Sequence, residues 1–348
     1  MIVQTHLLDS KFVGKQDPNC IRDLVDNKTD PKTGLYLDRL FVGIGEKAAN
    51  KVSMHTNDYL SIASDKRIAQ EKALYLLEHG HGEAISRVFT HDREDLCKQF
   101  ERRMAKLMQA EDSVLLMSGY NANTGLIQAF AAPGSPVYID LRAHASLWEG
   151  ILCARAKAIP FRHNNTEDLE KKIKRHGPGL VVVDALYSTS GAISPLIDMV
   201  NIAEAGDCAI VVDETHSFGC QGPKGAGLVV ELGLADRVHF RTIGLSKAAA
   251  ARGGIVCGSK RNMEYLRYEA RPMIFSTSVL NYEVAGFMKM LDIITQESWR
   301  QKKLHRNHKV LKEGLEGLGY DVSDSDAQII GIVLGSNQMT GAFKGHLE

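Results

Sequence analysis

Short apolar runs that stop abruptly at an acid constrain this chain most. The fullest case is CAIVVDETHSFG, where Cys208 to Val212 are apolar and Asp213, Glu214, Thr215 and His216 follow at once. A brief β-branched run without polar alternation reads as a strand buried on both faces. VYID stops in the same way at Asp140, and LVVVD stops at Asp184. Helical stretches fall between them, one around Glu167 to Arg175 and another over DMVNIAEAG. Strands alternating with helices across residues 110–260 predict an α/β fold, a mostly parallel sheet with helices on both faces. In such sheets the ligand crevice lies at the strands' carboxyl ends, where the acids stand.

Charge and cysteine usage narrow the class further. Lys plus Arg and Asp plus Glu balance at 42 each, so no global field recruits nucleic acid or an acidic membrane. The cysteines at 20, 97, 153, 208, 220 and 257 include no CxxC pair, which predicts free, mostly buried thiols and neither a disulfide framework nor a metal site. No run of about eighteen apolar residues occurs. The opening MIVQTHLLDSKFVGK lacks the long apolar core of a secretory signal. The expectation is a cytoplasmic enzyme with no membrane or nucleic-acid partner.

Residues 1–55 read as an N-terminal arm, punctuated by DPN, TDPKTG and GIG. Ser64-Asp65 is placed to cap a helix from about Lys66 to Glu78 that ends at Gly80. Leu96, Phe100, Met104, Leu107 and Met108 follow at helical spacing. VLLMSGYNANTGLIQAFA reads as a strand, a small Ser118-Gly119 turn and a helix opening near Tyr120. The exposed amides and dipole of such a helix start favour an anion, commonly a phosphate. GPKGAGLVVELG reads as flexible cover, and hydroxyls return at Ser276, Thr277 and Ser278 before a long helical stretch through Trp299 to Leu318. Its RQKKLHRNHK segment reads as a solvated helix face, and GYDVSDSDAQIIGIVLGSN as the first strands of a small α+β domain.

The chemistry lies in the joint order of these pieces. VHFRTIGLSKAAAARGGIVCG is a further apolar segment closing on Ser246 and Lys247. Asp213, His216 three residues on and a lysine beyond the next strand suit an aldehyde cofactor with a pyridine ring. The amine bonds the aldehyde, and the carboxylate keeps the ring nitrogen protonated so that the ring accepts electrons. Each residue alone has an ordinary structural explanation. A phosphate-type turn, a histidine, a hydroxyl turn, Asp-x-x-His and a lysine, each at a strand's carboxyl end, point together to one site. A dehydrogenase is disfavoured, because no GxGxxG and no acid placed for a ribose occurs.

VLLMSGYNAN, VVVDALYSTSGAISPL, VVDETHSFGCQGPKGAG and SKAAAARGG resemble the α-oxoamine synthases. These are pyridoxal-phosphate enzymes of the aspartate-aminotransferase fold type that condense an amino acid with an acyl-CoA. YNANTG, AHASLWEG, PFRHNN, RHGPGLVVVD and GLVVELGL are similar to the α-hydroxyketone autoinducer synthases of bacterial quorum sensing, and the likeness spans residues from about 50 to 335. It implies a seven-stranded-type sheet in a large domain at 56–280, then a linking helix and a smaller, shortened α+β C-terminal domain at 281–348. By the resemblance Lys247 carries the cofactor and moves the α-proton, Asp213 pairs with the pyridine nitrogen, and His216 with Ser188 bonds the phenolic oxygen. His144 stacks on the ring. Gly119, Tyr120 and Asn121 hold the phosphate, with Ser276 and Thr277 reaching it from the partner of a homodimer. Asn57 lies near the substrate carboxylate, and Ser86-Arg87 in the acyl-CoA entry region. Burial beside the cofactor is expected to lower the Lys247 pKa.

Two features depart from the family pattern. The hydroxyl residue usual three positions before the lysine is Gly244 here, and Thr242 or Ser246 is expected to substitute. After Gly335 no equivalent follows of the arginine that grips the amino-acid carboxylate. Truncation, a different grip on the substrate and compromised activity stand as alternatives. The leading expectation is an acyltransferase making an α-aminoketone precursor of an α-hydroxyketone signal, with aminobutyrate or an S-adenosylmethionine-like donor. The others are a housekeeping α-oxoamine synthase of the biotin-pathway or threonine-catabolism type, and a catalytically silent cofactor-binding relative.

Overall fold

The computed structural model describes residues 18–29, 54 and 56–347. In chain order the elements are α1 (Asn19–Asp26), α2 (Lys66–His79), α3 (Leu96–Leu107), β1 (Asp112–Leu116), α4 (Gly119–Phe130), β2 (Pro136–Asp140) and α5 (Ala145–Ala154). There follow β3 (Lys157–Phe161), α6 (Thr166–His176), β4 (Leu180–Asp184), α7 (Leu196–Ala205), β5 (Ala209–Asp213) and the short α8 (Leu228–Glu231). The rest are β6 (Phe240–Gly244), β7 (Gly254–Gly258), α9 (Lys260–Glu269), the short α10 (Arg271–Ile274), α11 (Asn281–Gln296), α12 (Trp299–Gly317) and α13 (Asn337–Leu347).

Seven strands form one sheet in the order β1-β7-β6-β5-β4-β2-β3. Only β7 runs against its neighbours, so six strands end at one edge. The unbroken apolar runs have the cause expected of them. In β4, Leu180 and Val182 join one apolar cluster while Val181 and Val183 join another on the opposite face. Successive side chains alternate across the sheet, so a strand covered on both faces must be apolar throughout. Helices α4, α5 and α9 cover one face through Leu126, Leu147 and Leu266, and α3 and α11 cover part of the other through Phe100 and Phe287.

Of the expected capping pair Ser64-Asp65, it is Asp65 that caps α2 by accepting the Arg67 amide, and Gly80 ends the helix as expected, at φ +68. The GPKGAG segment differs from its reading as flexible cover. Glu214, fully buried, accepts the Val229 amide at 3.0 Å, and a Cβ on Gly227 would stand 2.3 Å from Glu214 Oε1. The glycines let this loop fold onto a buried acid, and Ala226, Leu228 and Val229 become core.

The helical stretch before Leu318 is broken at Glu297-Ser298 into α11 and α12. No residue of α12 is fully buried, yet its basic side touches the protein through polar groups. His305 Nε2 lies 2.8 Å from the Cys220 carbonyl oxygen, and Lys312 Nζ donates to that of Ser325 at 2.8 Å. Residues 320–336 form no strand among the described residues, although IIGIVL reads as one. Within this segment Ser325 and Asp326 are tied to the loop after β4: Ser325 Oγ donates to the Ser190 carbonyl at 3.0 Å, and the Ile193 amide donates to Asp326 at 3.1 Å.

The chain divides into two units, residues 54–332 and a smaller one of residues 1–53 with 333–348. In the smaller unit the structure describes α1 and α13. Most of the expected N-terminal arm lies outside the described residues. All six cysteines are free thiols, and Cys97, Cys208, Cys220 and Cys257 are buried.

Candidate active site

Asp213 ends β5, flanked in register by Asp184 on β4 and Thr242 on β6. It is buried at 4 % exposure. Two donors fix its carboxyl plane, Asn123 Nδ2 to Oδ2 at 2.7 Å and the Thr215 amide to Oδ1 at 2.8 Å. Asn123, from α4, also donates to Ser146 Oγ at 2.8 Å, and that oxygen lies 2.7 Å from His144 Nδ1. A polar chain therefore runs from Asp213 to His144. His144 caps α5, accepting the Ser146 amide on Nδ1 at 3.3 Å, which leaves Nε2 as the protonated nitrogen. Its ring is exposed, as stacking on a ligand requires. Asp184 accepts the His144 amide at 3.0 Å; burial, then the charge of Asp213, raises its pKa well above the carboxylate range.

His216 is buried, with Tyr59 Oη 2.8 Å from its Nδ1. Burial lowers the imidazole pKa to about 4; Asp213 opposes the fall, while Lys247 and His144 add to it. Burial also lifts the Tyr59 phenol above its usual range. A neutral phenol meets a neutral imidazole, so the phenol donates to Nδ1 and Nε2 keeps its proton as a donor. Asn57 Oδ1 stands 3.4 Å from the same phenol oxygen, and Gln328 Nε2 donates to the His216 carbonyl at 2.7 Å.

This environment predicts a pH dependence. The unfolded imidazole titrates near 6.5 and the folded one near 4, so the unfolded chain binds the extra proton as pH falls between them. Stability present above the unfolded pKa is lost toward the folded one, by about 3 kcal/mol for this group. Urea unfolding of the cofactor-free protein should show wild type losing roughly that much more than His216→Gln between pH 6.5 and pH 4. Parallel pH curves for the two proteins would contradict it.

Lys247 stands on the β6–β7 connection, which is closed by the Leu245 amide on the Gly253 carbonyl at 3.0 Å and the Ala251 amide on that of Leu245 at 2.9 Å. The alanine run has a packing reason. Ala248 and Ala249 are buried, and a Cβ on Gly219 would meet Ala248 Cβ at 2.7 Å. Burial lowers the Lys247 pKa below the usual amine range, and Asp213 counters it. The direction is the one read from the sequence.

Ser118 caps α4 by accepting the Asn121 amide at 3.1 Å. The Gly119 and Tyr120 amides fall in the first turn, where no intrahelical acceptor exists. A Cβ on Gly119 would lie 2.6 Å from Gly244 Cα, so the helix start abuts the end of β6 at a point only glycine allows. Ser188 and Ser246 are exposed, whereas Thr242 is buried at 1 % exposure.

Ser276 and Thr277 lie between α10 and α11. Thr277 bridges Ser86, and the Ser278 amide donates to the Ile85 carbonyl at 2.9 Å, so these hydroxyls and Ser86-Arg87 share one patch. Arg87 is buried and bonds Asp95 at 2.5 Å, with Glu101 at 3.9 Å. Its charge is matched inside the protein by these two acids. A cavity of about 320 Å³ lies beside this patch, lined in part by Arg87, Arg93, Cys97, Ser278 and Asn281. It does not include Lys247.

The sequence reading missed Asn123, Ser146, Tyr59 and Gln328. Asn123 lies within the motif YNANTG and Tyr59 stands two residues after Asn57, but only the fold carries them to Asp213 and His216. The donor set fits a phosphorylated pyridine aldehyde: an amine shifted toward neutrality, a fixed buried carboxyl, an exposed imidazole and a glycine-lined helix start.

The aminotransferase class I and II family model matches residues 49–344. The chain is 40 % identical over 297 residues to the CAI-1 autoinducer synthase of Vibrio campbellii, covering 85 % of this chain and 75 % of that protein. It is 33 % identical over 334 residues to a putative 8-amino-7-oxononanoate synthase of Halalkalibacterium halodurans, covering 95 % and 82 %. A solved serine palmitoyltransferase from S. paucimobilis with a bound PLP–myriocin aldimine superposes with a TM-score of 0.77 at 28 % identity, covering 81 % and 72 %. The chain belongs to the class I and II aminotransferase family, in its α-oxoamine synthase branch, and its cofactor is pyridoxal phosphate.

Proposed function

We propose that this enzyme condenses an acyl-CoA with an amino acid to give an α-aminoketone, CoA and CO2, and that the product is the precursor of an α-hydroxyketone signal. A carbon–carbon bond forms at the acyl carbon, the thioester C–S bond breaks, and the amino-acid carboxylate leaves as CO2. Pyridoxal phosphate, when bound, supplies the electron sink that stabilises charge at the substrate's α-carbon. The chain's own residues do the rest. Lys247 holds the cofactor and then takes the α-proton on Nζ, a task its lowered pKa favours. Asp213 keeps the ring nitrogen protonated. His216, through Nε2–H, and Ser188, through its hydroxyl, would bond the phenolic oxygen, and the exposed His144 ring would stack on the cofactor.

The Gly119 and Tyr120 amides would be the phosphate donors, since the Asn121 amide is given to Ser118 Oγ, and Ser276 and Thr277 would complete the site of a second copy in a homodimer. Phe89 and Phe275, exposed at 72 % and 83 %, are near neighbours in sequence of the Ser86–Thr277 bridge and favour burial in such an interface. Asn57, whose Oδ1 lies 3.4 Å from the Tyr59 phenol oxygen, is assigned to the amino-acid carboxylate.

The observation that carries the reading is the convergence on one sheet edge of Asp213, His216 and Lys247, the last with a depressed amine pKa. The signalling product rests on the 40 % identity to a relative named for autoinducer synthesis. Mass spectrometry of products from medium-chain acyl-CoAs with aminobutyrate, S-adenosylmethionine, glycine, alanine or serine separates the possibilities. Turnover with the first two supports the proposal. Turnover confined to glycine, alanine or serine would make it a housekeeping synthase, a reading favoured by the 33 % identity that spans 95 % of the chain. CoA release no greater than background would make it a silent relative.

A further inference from the structure

We propose that the Thr215 hydroxyl supplies the phosphate contact that Gly244, lacking a side chain, cannot make. The inference rests on the reading that the cofactor's phosphate sits at the start of α4. A Cβ built on Gly244 would stand 3.0 Å from Thr215 Cγ2 and 3.2 Å from Thr215 Oγ1. The threonine side chain therefore occupies the space that a residue at position 244 would use. That space borders the phosphate cradle, because a Cβ on Gly119 would meet Gly244 Cα at 2.6 Å.

The Thr215 hydroxyl is also oriented to donate. Its oxygen accepts the Gly244 amide at 2.7 Å, so one lone pair is engaged and the hydroxyl proton points elsewhere. Accepting from an amide polarises the O–H and strengthens it as a donor to an anion. The backbone is held as well, since the Thr215 amide donates to Asp213 Oδ1 at 2.8 Å. A β-branched side chain is restricted at χ1, and the Gly244 amide on Oγ1 holds the rotamer that presents the hydroxyl. Thr215 is half-buried and can reach a ligand. Of the two hydroxyls first considered as substitutes, Thr242 lies in the buried body of the sheet, while Ser246 is exposed on the lysine's own loop and serves as the control.

The physical consequence is a single turn serving both ends of the cofactor. Asp213 addresses the ring nitrogen, and Thr215, tied to it by one hydrogen bond, addresses the phosphate.

Titration of the cofactor-free enzyme with pyridoxal phosphate and, separately, with unphosphorylated pyridoxal tests this by absorbance. Thr215→Val keeps the shape and removes the hydroxyl. It should weaken pyridoxal phosphate binding by roughly tenfold or more, as for a hydrogen bond to a charged group, and leave pyridoxal binding unchanged. Ser246→Ala should have a smaller effect on the phosphate form. The double variant Thr215→Ala with Gly244→Thr, which returns a hydroxyl from the neighbouring strand, should recover most of the loss. Thr215→Ser guards against misfolding, because it keeps the hydroxyl and should bind both ligands as wild type does. Equal weakening of both ligands in Thr215→Val, or no weakening of either, would overturn the proposal. Failure of wild type to bind pyridoxal phosphate at all would instead remove the reading on which it rests.

Discussion

Lys247→Ala should abolish the visible absorbance of the lysine-bound cofactor and lower CoA release by roughly 10²–10⁴-fold, the range for loss of a positioned base. The substitution removes both the covalent anchor and the proton acceptor. It should not unfold the protein, because the loop around position 247 is held by backbone bonds from Leu245 and Ala251 and by the buried Ala248 and Ala249, none of which needs the amine. Burial already lowers the Lys247 pKa. Desolvation of a charged amine destabilises the fold slightly, so an alanine there should leave stability unchanged or raise it. Thermal unfolding of the cofactor-free variant beside wild type checks that part. Turnover close to wild type in Lys247→Ala would exclude the assigned role.

Asp213→Asn separates the electronic role from the anchoring one. The amide is nearly isosteric, and its oxygen can still accept the Thr215 amide. Its NH2 would face the Asn123 donor that now serves Asp213 Oδ2. Asn123 Oδ1 is buried with no hydrogen-bond partner, so a flip of the Asn123 amide turns that clash into a bond, at the cost of the one it now donates to Ser146 Oγ unless that hydroxyl turns to donate to it. The fold should therefore survive. A neutral amide cannot hold the ring nitrogen cationic, and loss of one such preorganised charge contact costs roughly 10²–10³-fold in kcat. The lysine-bound absorbance should persist while CoA release falls. Loss of cofactor binding together with turnover would mean that Asp213 acts mainly in binding.

The parts of the fold written in local pattern were legible in the sequence. β4 and β5 are continuous apolar runs because both faces are covered, and their acids mark the ligand edge. Asp65, Gly80 and the start of α4 are short-range capping chemistry, which one sequence displays directly. What could not be read depends on partners distant along the chain. Asn123 reaches Asp213 across 90 residues and Tyr59 reaches His216 across 157, and nothing local marks either as a donor. IIGIVL has the composition of a strand, but a strand also requires a neighbour to pair with, and none of the described residues provides one. The GPKGAG loop looked mobile by composition, whereas its glycines serve close approach to the buried Glu214. The ion pair of Arg87 with Asp95, eight residues on, is likewise not marked by any local pattern.

The central claim is that the amine of Lys247 and the carboxyl of Asp213 act on one bound pyridoxal phosphate. Borohydride reduction of the cofactor-loaded wild-type enzyme, followed by peptide mass mapping, tests it most directly. A reduced pyridoxyl phosphate adduct on the peptide carrying Lys247, absent from Lys247→Ala and still present in Asp213→Asn, is the expected result. An adduct on any other lysine, or none in wild type, would contradict it.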